Sequence, residues 1–334
     1  MKLLLSGTSS REIIEQSSCI VFSDGDVYTY NDEMCVSTKI PEIEGTCAVP
    51  ANELLNILSK MKGDTVDIDI SEGKMVIKTP RTEAMLIAQN DVFLPIPSSE
   101  QKSTDSEVGN QFFEALYDCS MTVSKDATKP YMFCVHINND YMQSCDGYQL
   151  TQYKHGLSLK IKESGILIPS PAIRELAKHG IKKATLKIRE TWADFEVESG
   201  GEPYVFSCRL FQSDYINTER IVKGTDNVIT NFQFPPTFID SLEVALCLRE
   251  INMYNERAAI HFDKNMVTVV KKTEKGIITE KNRVRYDGES FSVNVNPALL
   301  LNLLKKSDSI SICHSFIKSE SDGMLYVIPI HKGE

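Results

Sequence analysis

One stretch constrains this chain more than any other: Val49 to Ile70, VPANELLNILSKMKGDTVDIDI. Pro50 suits a first helical turn. Leu54, Leu55, Ile57 and Leu58 recur at helical spacing, and Gly63-Asp64 predicts the stop. Val66, Ile68 and Ile70 then alternate with Asp67 and Asp69, the period of a half-buried strand. The pattern returns twice, as IPSPAIRELA from Ile168 and VNPALLLNLL from Val295. Laid on VPANELLNIL without a gap, the copies agree in being aliphatic at Val49, Ile168 and Val295; at Leu54, Ile173 and Leu300; and at Ile57, Leu176 and Leu303. Alternating apolar residues follow each copy, Leu186 and Ile188 in the second, Ile310 and Ile312 in the third. The chain therefore reads as a threefold internal repeat.

Length sets the same bound. A chain of 334 residues holds two or three domains. At 42% hydrophobic residues each has core enough, as in an ordinary soluble protein. The net charge of −10 argues against a basic exterior that coats nucleic acid, although a basic strip on one surface is compatible with it. Nine cysteines form no CxxC pair, and most sit beside apolar residues. They read as small buried thiols in a reducing cytosol. The N-terminal MKLLLSGTSSRE has too short an apolar run for a signal peptide, and no run approaches a membrane span.

In chain order, SSREIIEQSS (Ser9–Ser18) predicts a short helix. Cys19–Phe22 and Val27–Tyr30 flank SDGD and predict a hairpin, with Cys35–Lys39 continuing the sheet. Val66–Ile70 and Met75–Lys78 flank SEGK, a second hairpin, and Met85–Ala88 closes the unit. Glu100–Asn110 is polar and reads as a linker. A helix over Phe112–Thr122 opens the second unit. Strands follow near Tyr131–Ile137, Tyr141–Ser144 and Leu157–Ile161, then Trp192–Val197 and Val205–Leu210. Thr218–Asn231 reads as the second linker. Phe238, Ile239, Leu242, Ala245 and Leu246 predict the next helix. Ala258–Phe262, Met266–Val270, Gly276–Glu280 and Ser290–Val295 predict strands. The domains are expected at 1–98, 104–220 and 223–334. Many antiparallel strands with two helices per unit is an α+β pattern.

The sequence carries no enzyme constellation. Its six histidines are dispersed, without a ligand spacing, and no P-loop, GxGxxG or GxSxG occurs. The expectation is no catalysis, no metal and no cofactor. Asp67 and Asp69 read as a solvated strand face. Lys60 and Lys62, Arg174 and Lys178, and Lys305 and Lys306 lie near the ends of the repeat helices. Each pair complements a helix dipole. Three such helices on one surface would also make that surface basic.

The stretches VPANELLNILSKM with EGKMVIKTPRTEAMLIA, CDGYQLTQY, ILIPSPAIRELAK, SVNVNPALLLNLLKK and the terminal YVIPI resemble, in order and spacing, the β sliding clamp family of bacterial DNA polymerase III, in a bacteriophage-type form. The resemblance covers essentially the whole chain. It implies three similar α+β domains, two chains closed head to tail into a ring, sheets outside and helices lining a hole around duplex DNA. It implies a processivity factor in the bacterial or phage-infected cytosol, with polymerase, clamp loader, duplex DNA and a second copy as partners. DNA contact would be electrostatic and sequence-independent. A partner-peptide pocket would fall on Met132, Asp146, Gly147, Tyr148, Gln149 and Leu150, and on Tyr326, Val327, Ile328, Pro329 and Ile330, bordered by Asn217 and Thr218. DNA contacts would fall on Arg11, Lys78, Arg81, Lys125, Lys129, Tyr131, Arg174 and Lys178. The chain departs from the family where His-Arg after Asp-Gly becomes Tyr148-Gln149, and where Phe-Pro-Asp-Tyr becomes FQSDY, Phe211 to Tyr215. The alternatives are a clamp-derived adaptor that binds proteins without encircling DNA, and a hydrolase, which lacks any convergent catalytic set.

Overall fold

The computed structural model describes residues 2–12, 14–63, 65–95, 104–198, 202–249, 256–307 and 309–332. The first repeat opens on a 3-10 helix, Lys2–Gly7. It continues as β1 (Cys19–Ser23), β2 (Asp26–Tyr30), β3 (Met34–Lys39), β4 (Thr46–Pro50), α1 (Ala51–Lys60), β5 (Asp67–Ser71), β6 (Lys74–Lys78) and β7 (Glu83–Ile87). The second is β8 (Thr104–Gly109), α2 (Asn110–Ser120), β9 (Cys134–Ile137), β10 (Tyr141–Cys145), β11 (Leu150–Lys154), β12 (Ile166–Pro169), α3 (Ser170–Lys178), β13 (Lys183–Ile188), β14 (Trp192–Val197) and β15 (Tyr204–Arg209). A short helix, α4 (Glu219–Gly224), leads into the third: β16 (Val228–Gln233), α5 (Thr237–Ala245), β17 (Ala258–Asp263), β18 (Met266–Thr273), β19 (Gly276–Arg283), β20 (Phe291–Val295), α6 (Pro297–Leu304), β21 (Ser309–Cys313), β22 (Phe316–Ser321) and β23 (Met324–Lys332).

The repeat seen in the sequence is thus a strand, a helix and a three-stranded antiparallel run: β4-α1-β5-β6-β7, β12-α3-β13-β14-β15 and β20-α6-β21-β22-β23. Val49, Ile168 and Val295 lie within the last two residues of the strand that feeds each helix, and all three are buried. Leu54, Ile173 and Leu300 are buried on the helix face that meets the sheet, as are Leu176 and Leu303, while Ile57 is half-buried. Asn296 caps α6 by accepting from the Ala298 and Leu299 N–H groups. Burying each of these aliphatic side chains contributes about 1.5–3 kcal/mol.

The fold divides into two compact units. One comprises Met1–Ser120, Cys134–Asp140 and Leu157–Ser213; the other comprises Met121–Phe133, Tyr141–Gly156 and Asp214–Glu334. In the first unit β3 pairs antiparallel with β15, from Thr38↔Tyr204 to Met34↔Cys208. In the second, β11 pairs with β23, from Leu150↔Val327 to Tyr153↔Met324. Each unit therefore holds a junction in which the strand before the helix-feeding strand of one repeat joins the last strand of the next. Both junctions carry the same turn. Asp146 accepts from the N–H groups of Tyr148 and Gln149 ahead of β11. Asn31 accepts from those of Glu33 and Met34 ahead of β3. The following position has positive φ in both, +93° at Gly147 and +71° at Asp32.

Four local expectations differ from the fold. The described residues of Ser9–Ser18 are not helical. The N–H of Gln16 is held by Glu12 Oε1 at 2.6 Å and its φ is +66°. Its side chain is buried and bonds Gln89, the Asp91 carbonyl and the Phe93 N–H, so tertiary polar contacts override a weak helix signal. Leu157–Ile161 is irregular because Gly156 and Lys160 take positive φ. In the first expected linker, Thr104–Gly109 is β8, paired with β13 from Ile188↔Thr104 to Lys183↔Gly109. As an edge strand it buries only Val108, which is why it reads as polar. Residues 100–103 of that stretch lie outside the described residues. The second expected linker, Thr218–Asn231, contains α4 and the start of β16. The first repeat accordingly has a single α-helix among the described residues, and α1 stops at Lys60, ahead of Gly63.

The cysteines are free, and all but Cys247 are buried. Burial pushes the Cys35 and Cys134 thiols up to about 12, which leaves them unreactive. His179, at the C-terminal end of α3, sits between Ser6 Oγ at 2.9 Å and Tyr204 Oη at 3.1 Å, with its ring edge-on to Phe206. Burial pulls its pKa down from 6.5 to about 4. The folded state therefore holds the imidazole neutral. That stability is present above the unfolded pKa and is lost as pH falls from 6.5 towards 4. A His179→Gln variant should show a flatter fall of Tm between pH 6.5 and 4 than the parent; identical profiles in a thermal melt would contradict this.

Candidate peptide pocket and nucleic-acid surface

The second junction builds an apolar hollow within one unit. Its floor is Met132, Cys145, Leu150 and Val327, all buried. Tyr131, Ile216, Ile221, Val222, Phe316 and Leu325 pack against it while remaining half-exposed. The register explains the set. Cys145 faces Leu150 across the β10–β11 hairpin, Leu150 faces Val327, and Phe316 faces Pro329. Side chains alternate along a strand, so Leu325, Val327 and Pro329 share the face of β23 that looks into the hollow. Met132 arrives on a 3-10 turn, Pro130–Phe133, whose Met132 carbonyl accepts from the Ser124 N–H. The α4 wall is set by a buried Thr218, whose hydroxyl donates to Gln143 Oε1 at 2.8 Å, and by Asn217, which accepts from the Glu219 N–H. Gly224 lies against Phe316: a Cβ there would sit 2.7 Å from the ring. The Tyr215 hydroxyl accepts from the Cys145 N–H.

Most of the expected pocket residues converge here, in three different roles. Met132, Leu150, Val327 and Pro329 line the hollow. Asp146, Gly147 and Gln149 shape the turn at its edge, Gln149 Nε2 donating to Asp146 Oδ2 at 3.0 Å, and Tyr148 stands exposed beside them. Tyr326, Ile328 and Ile330 do not belong. They alternate onto the opposite face of β23, where Lys306 Nζ lies 4.2 Å from the Tyr326 ring centre and Ile328 is buried opposite Ile317. Sequence reasoning missed Cys145, Ile216, Ile221, Val222, Phe316 and Leu325. Alternation back from Val327 finds Leu325. The α4 pair was hidden in a stretch read as linker. Tyr131, expected to meet DNA, packs against this cluster and stays half-exposed.

The expected DNA contacts are spread over several elements. Arg174 and Lys178 lie on the exposed face of α3, Lys178 being paired with Glu175 at 2.5 Å. Lys78 ends β6, 3.7 Å from Glu83, and Arg81 is exposed in the turn between β6 and β7. Arg11 is exposed in the irregular segment before β1. Lys125 and Lys129 are exposed in the loop after α2, where Thr128 holds the Asp126 carboxylate below its usual pKa by hydrogen bonding. The helix faces are not uniformly basic. Exposed Lys60, Arg174, Lys178, Lys305 and Lys306 are offset by Glu53, Glu114, Asp240 and Glu243, with Lys305 3.6 Å from Glu243. Among the described residues no group of three or more His, Cys, Asp and Glu could hold a metal ion, and no helix is long and apolar enough to cross a membrane.

No protein-family profile matches the chain. Curated relatives do. The β sliding clamp of Streptococcus pneumoniae is 21% identical over 285 residues, 82% of this chain and 74% of that protein. The β sliding clamp homolog GriR of Streptomyces muensis is 20% identical over 333 residues, 92% of this chain and 85% of its own length. Among solved structures, the DNA polymerase III β subunit of Pseudomonas aeruginosa superposes with a TM-score of 0.83 at 16% identity, covering 99% of this chain and 96% of that one. The Helicobacter pylori β clamp bound to a DNA ligase peptide gives 0.78 at 14% identity, with the same coverage. The fold is the α+β, largely antiparallel fold of the DNA polymerase III β clamp, and relatives and structural neighbours together support the β sliding clamp family for this chain.

Proposed function

We propose that the chain is a DNA sliding clamp of the bacteriophage type. In this reading two copies close head to tail around duplex DNA, and the Leu150–Val327 hollow tethers a polymerase and receives the clamp loader. The three tandem domains are 1–98, 104–220 and 223–334. One observation carries the ring. Within the chain, the strand before a helix-feeding strand joins a last strand twice, β3 to β15 and β11 to β23. Among the described residues that leaves β19, the strand before β20, paired only with β18, and a last strand, β7, paired only with β6. Both edges expose apolar side chains, Ile277 on β19 and Met85 and Ile87 on β7. Exposed apolar edges are strand-pairing sites. Joining β19 to β7 of a second copy repeats the internal junction and closes the ring. With the outward faces kept together, Ile277 lies on the same face of the joined strands as Met85 and Ile87, and Lys281 on the same face as Glu83.

Peptide binding is supported by the apolar hollow and by the ligase peptide held by the Helicobacter pylori clamp. Arg11, Lys78, Arg81, Lys125, Lys129, Arg174 and Lys178 supply DNA contacts. With so many acids nearby the affinity is weak and salt-sensitive, and retention is topological. Clamp loaded on nicked circular DNA should stay bound through gel filtration and be lost once the circle is linearised. Retention that survives linearisation would overturn encirclement. The charge-balanced helix faces favour one second reading, an adaptor that binds partners without encircling DNA. No stimulation of any polymerase, together with a monomeric mass, would support it.

A further inference from the structure

The hollow at the second junction has a cation in its wall. Phe316, Lys318 and Glu320 alternate onto one face of β22, opposite Pro329, Val327 and Leu325 of β23. That face builds the hollow, so Lys318 sits directly across from the Val327 floor, between Phe316 and Glu320. Its side chain is 15% exposed. A lysine so far withdrawn from water rests its stem on apolar neighbours, and its ammonium is stable only with a partner. The partner is Glu320 at 2.8 Å, whose own side chain is 63% exposed. An ion pair with one member in solvent is weak and screened by salt, so another carboxylate can take its place.

The first junction shows the same position with its charge fully matched. The strand pairing corresponds residue for residue. Cys35 faces Ser207 as Leu150 faces Val327, and Ser207 faces Asp194 as Val327 faces Lys318. Trp192 faces Arg209 as Phe316 faces Pro329. Asp194 accepts two hydrogen bonds from Arg189, at 2.7 and 2.6 Å, and both residues are buried. Arg209 in turn bonds the Tyr30 and Asp32 side chains. At the second junction the sign is reversed. Lys318 stands in the place of Asp194. Cys313, a buried thiol 3.3 Å from the Thr225 carbonyl, stands in the place of Arg189. Ser311, directly opposite Lys318, bonds Asn231. The neighbouring strand β21, SISIC, carries no acidic residue to complete the pair. Pro329 replaces Arg209 and leaves the apolar floor uncapped.

We propose that Lys318 is a specificity-determining residue of this hollow and selects partner peptides that carry an Asp or Glu beside their apolar anchor. The inference rests on the hollow being the peptide site. The anchor covers Leu150 and Val327 and shuts water away from the Lys318 ammonium. A peptide carboxylate then displaces Glu320 and completes across the interface the kind of pair that Arg189 and Asp194 make within the chain. A neutral residue at that place gains nothing from the ammonium, and a basic one is repelled by it.

The test is fluorescence anisotropy of the full chain at low salt. The probes are fluorescein-labelled octapeptides, each a Leu-Leu pair in serine with one Glu placed at each remaining position in turn, and their Gln counterparts. At one position or more Glu should bind about tenfold more tightly than Gln, and the advantage should shrink as salt is raised. It should vanish in Lys318→Met, which keeps the stem, persist in Lys318→Arg, and grow in Glu320→Gln, which removes the competing carboxylate. Glu and Gln peptides of equal affinity at every position, or a Glu advantage that persists in Lys318→Met, would overturn the role of Lys318 and leave the hollow standing. Peptides that fail to bind, or that bind Ile221→Asp as tightly as the parent, would overturn the hollow and this inference with it.

Discussion

Replacing Ile87 by Asp is expected to convert a head-to-tail dimer into a monomer. Ile87 is 81% exposed in the single chain, on the unpaired edge of β7. In the proposed ring it would lie on the seam beside Ile277 of a second copy. A closed dimer contains this junction twice, so one substitution acts at both. Losing about 2–3 kcal/mol of apolar burial at each raises the dissociation constant about 10³- to 10⁴-fold, before the cost of desolvating a carboxylate. The substituted side chain is exposed in the monomer, so stability should change little, within about 0.5 kcal/mol. Sedimentation equilibrium at micromolar concentration separates the outcomes. An Ile87→Asp protein as dimeric as the parent would remove β7 from the interface.

The second large effect concerns the hollow at the other junction. Ile221→Asp places a charge on a half-exposed wall of α4 and should lower partner-peptide affinity by at least about 100-fold, because an apolar peptide then desolvates a carboxylate without a partner. The melting temperature should stay close to the parent's. Ile328→Ala is the control. Its side chain is buried on the opposite face of β23, so it should cost about 2–5 kcal/mol of stability and leave peptide affinity intact. Titration calorimetry with a polymerase-derived peptide and a denaturant melt on both variants separate the two roles. Peptide affinity unchanged in Ile221→Asp would dismiss the hollow as a docking site.

The repeat was legible because burial imposes it. Leu54, Ile173 and Leu300 must all be apolar to seat a helix on a sheet, and that pattern survives when little else does. Edge elements were not legible. The β8 strand buries only Val108, and α4 buries nothing completely, so both read as linkers. Ser9–Ser18 fails for a different reason: the Gln16 side chain bonds partners more than seventy residues away, which no local pattern reports. Within the pocket, the Asp146-Gly147 turn and Leu150 were readable from turn chemistry and apolarity. The error at Tyr326 and Ile328 came from taking a contiguous motif as one face. Strand alternation divides YVIPI between the hollow and the underside of α6.

The mass of the chain in solution bears most directly on the ring. Closure by β7 and β19 requires a particle of about 75 kDa at micromolar concentration, twice the 37.5 kDa of one chain. A species that remains at 37.5 kDa across that range would contradict it.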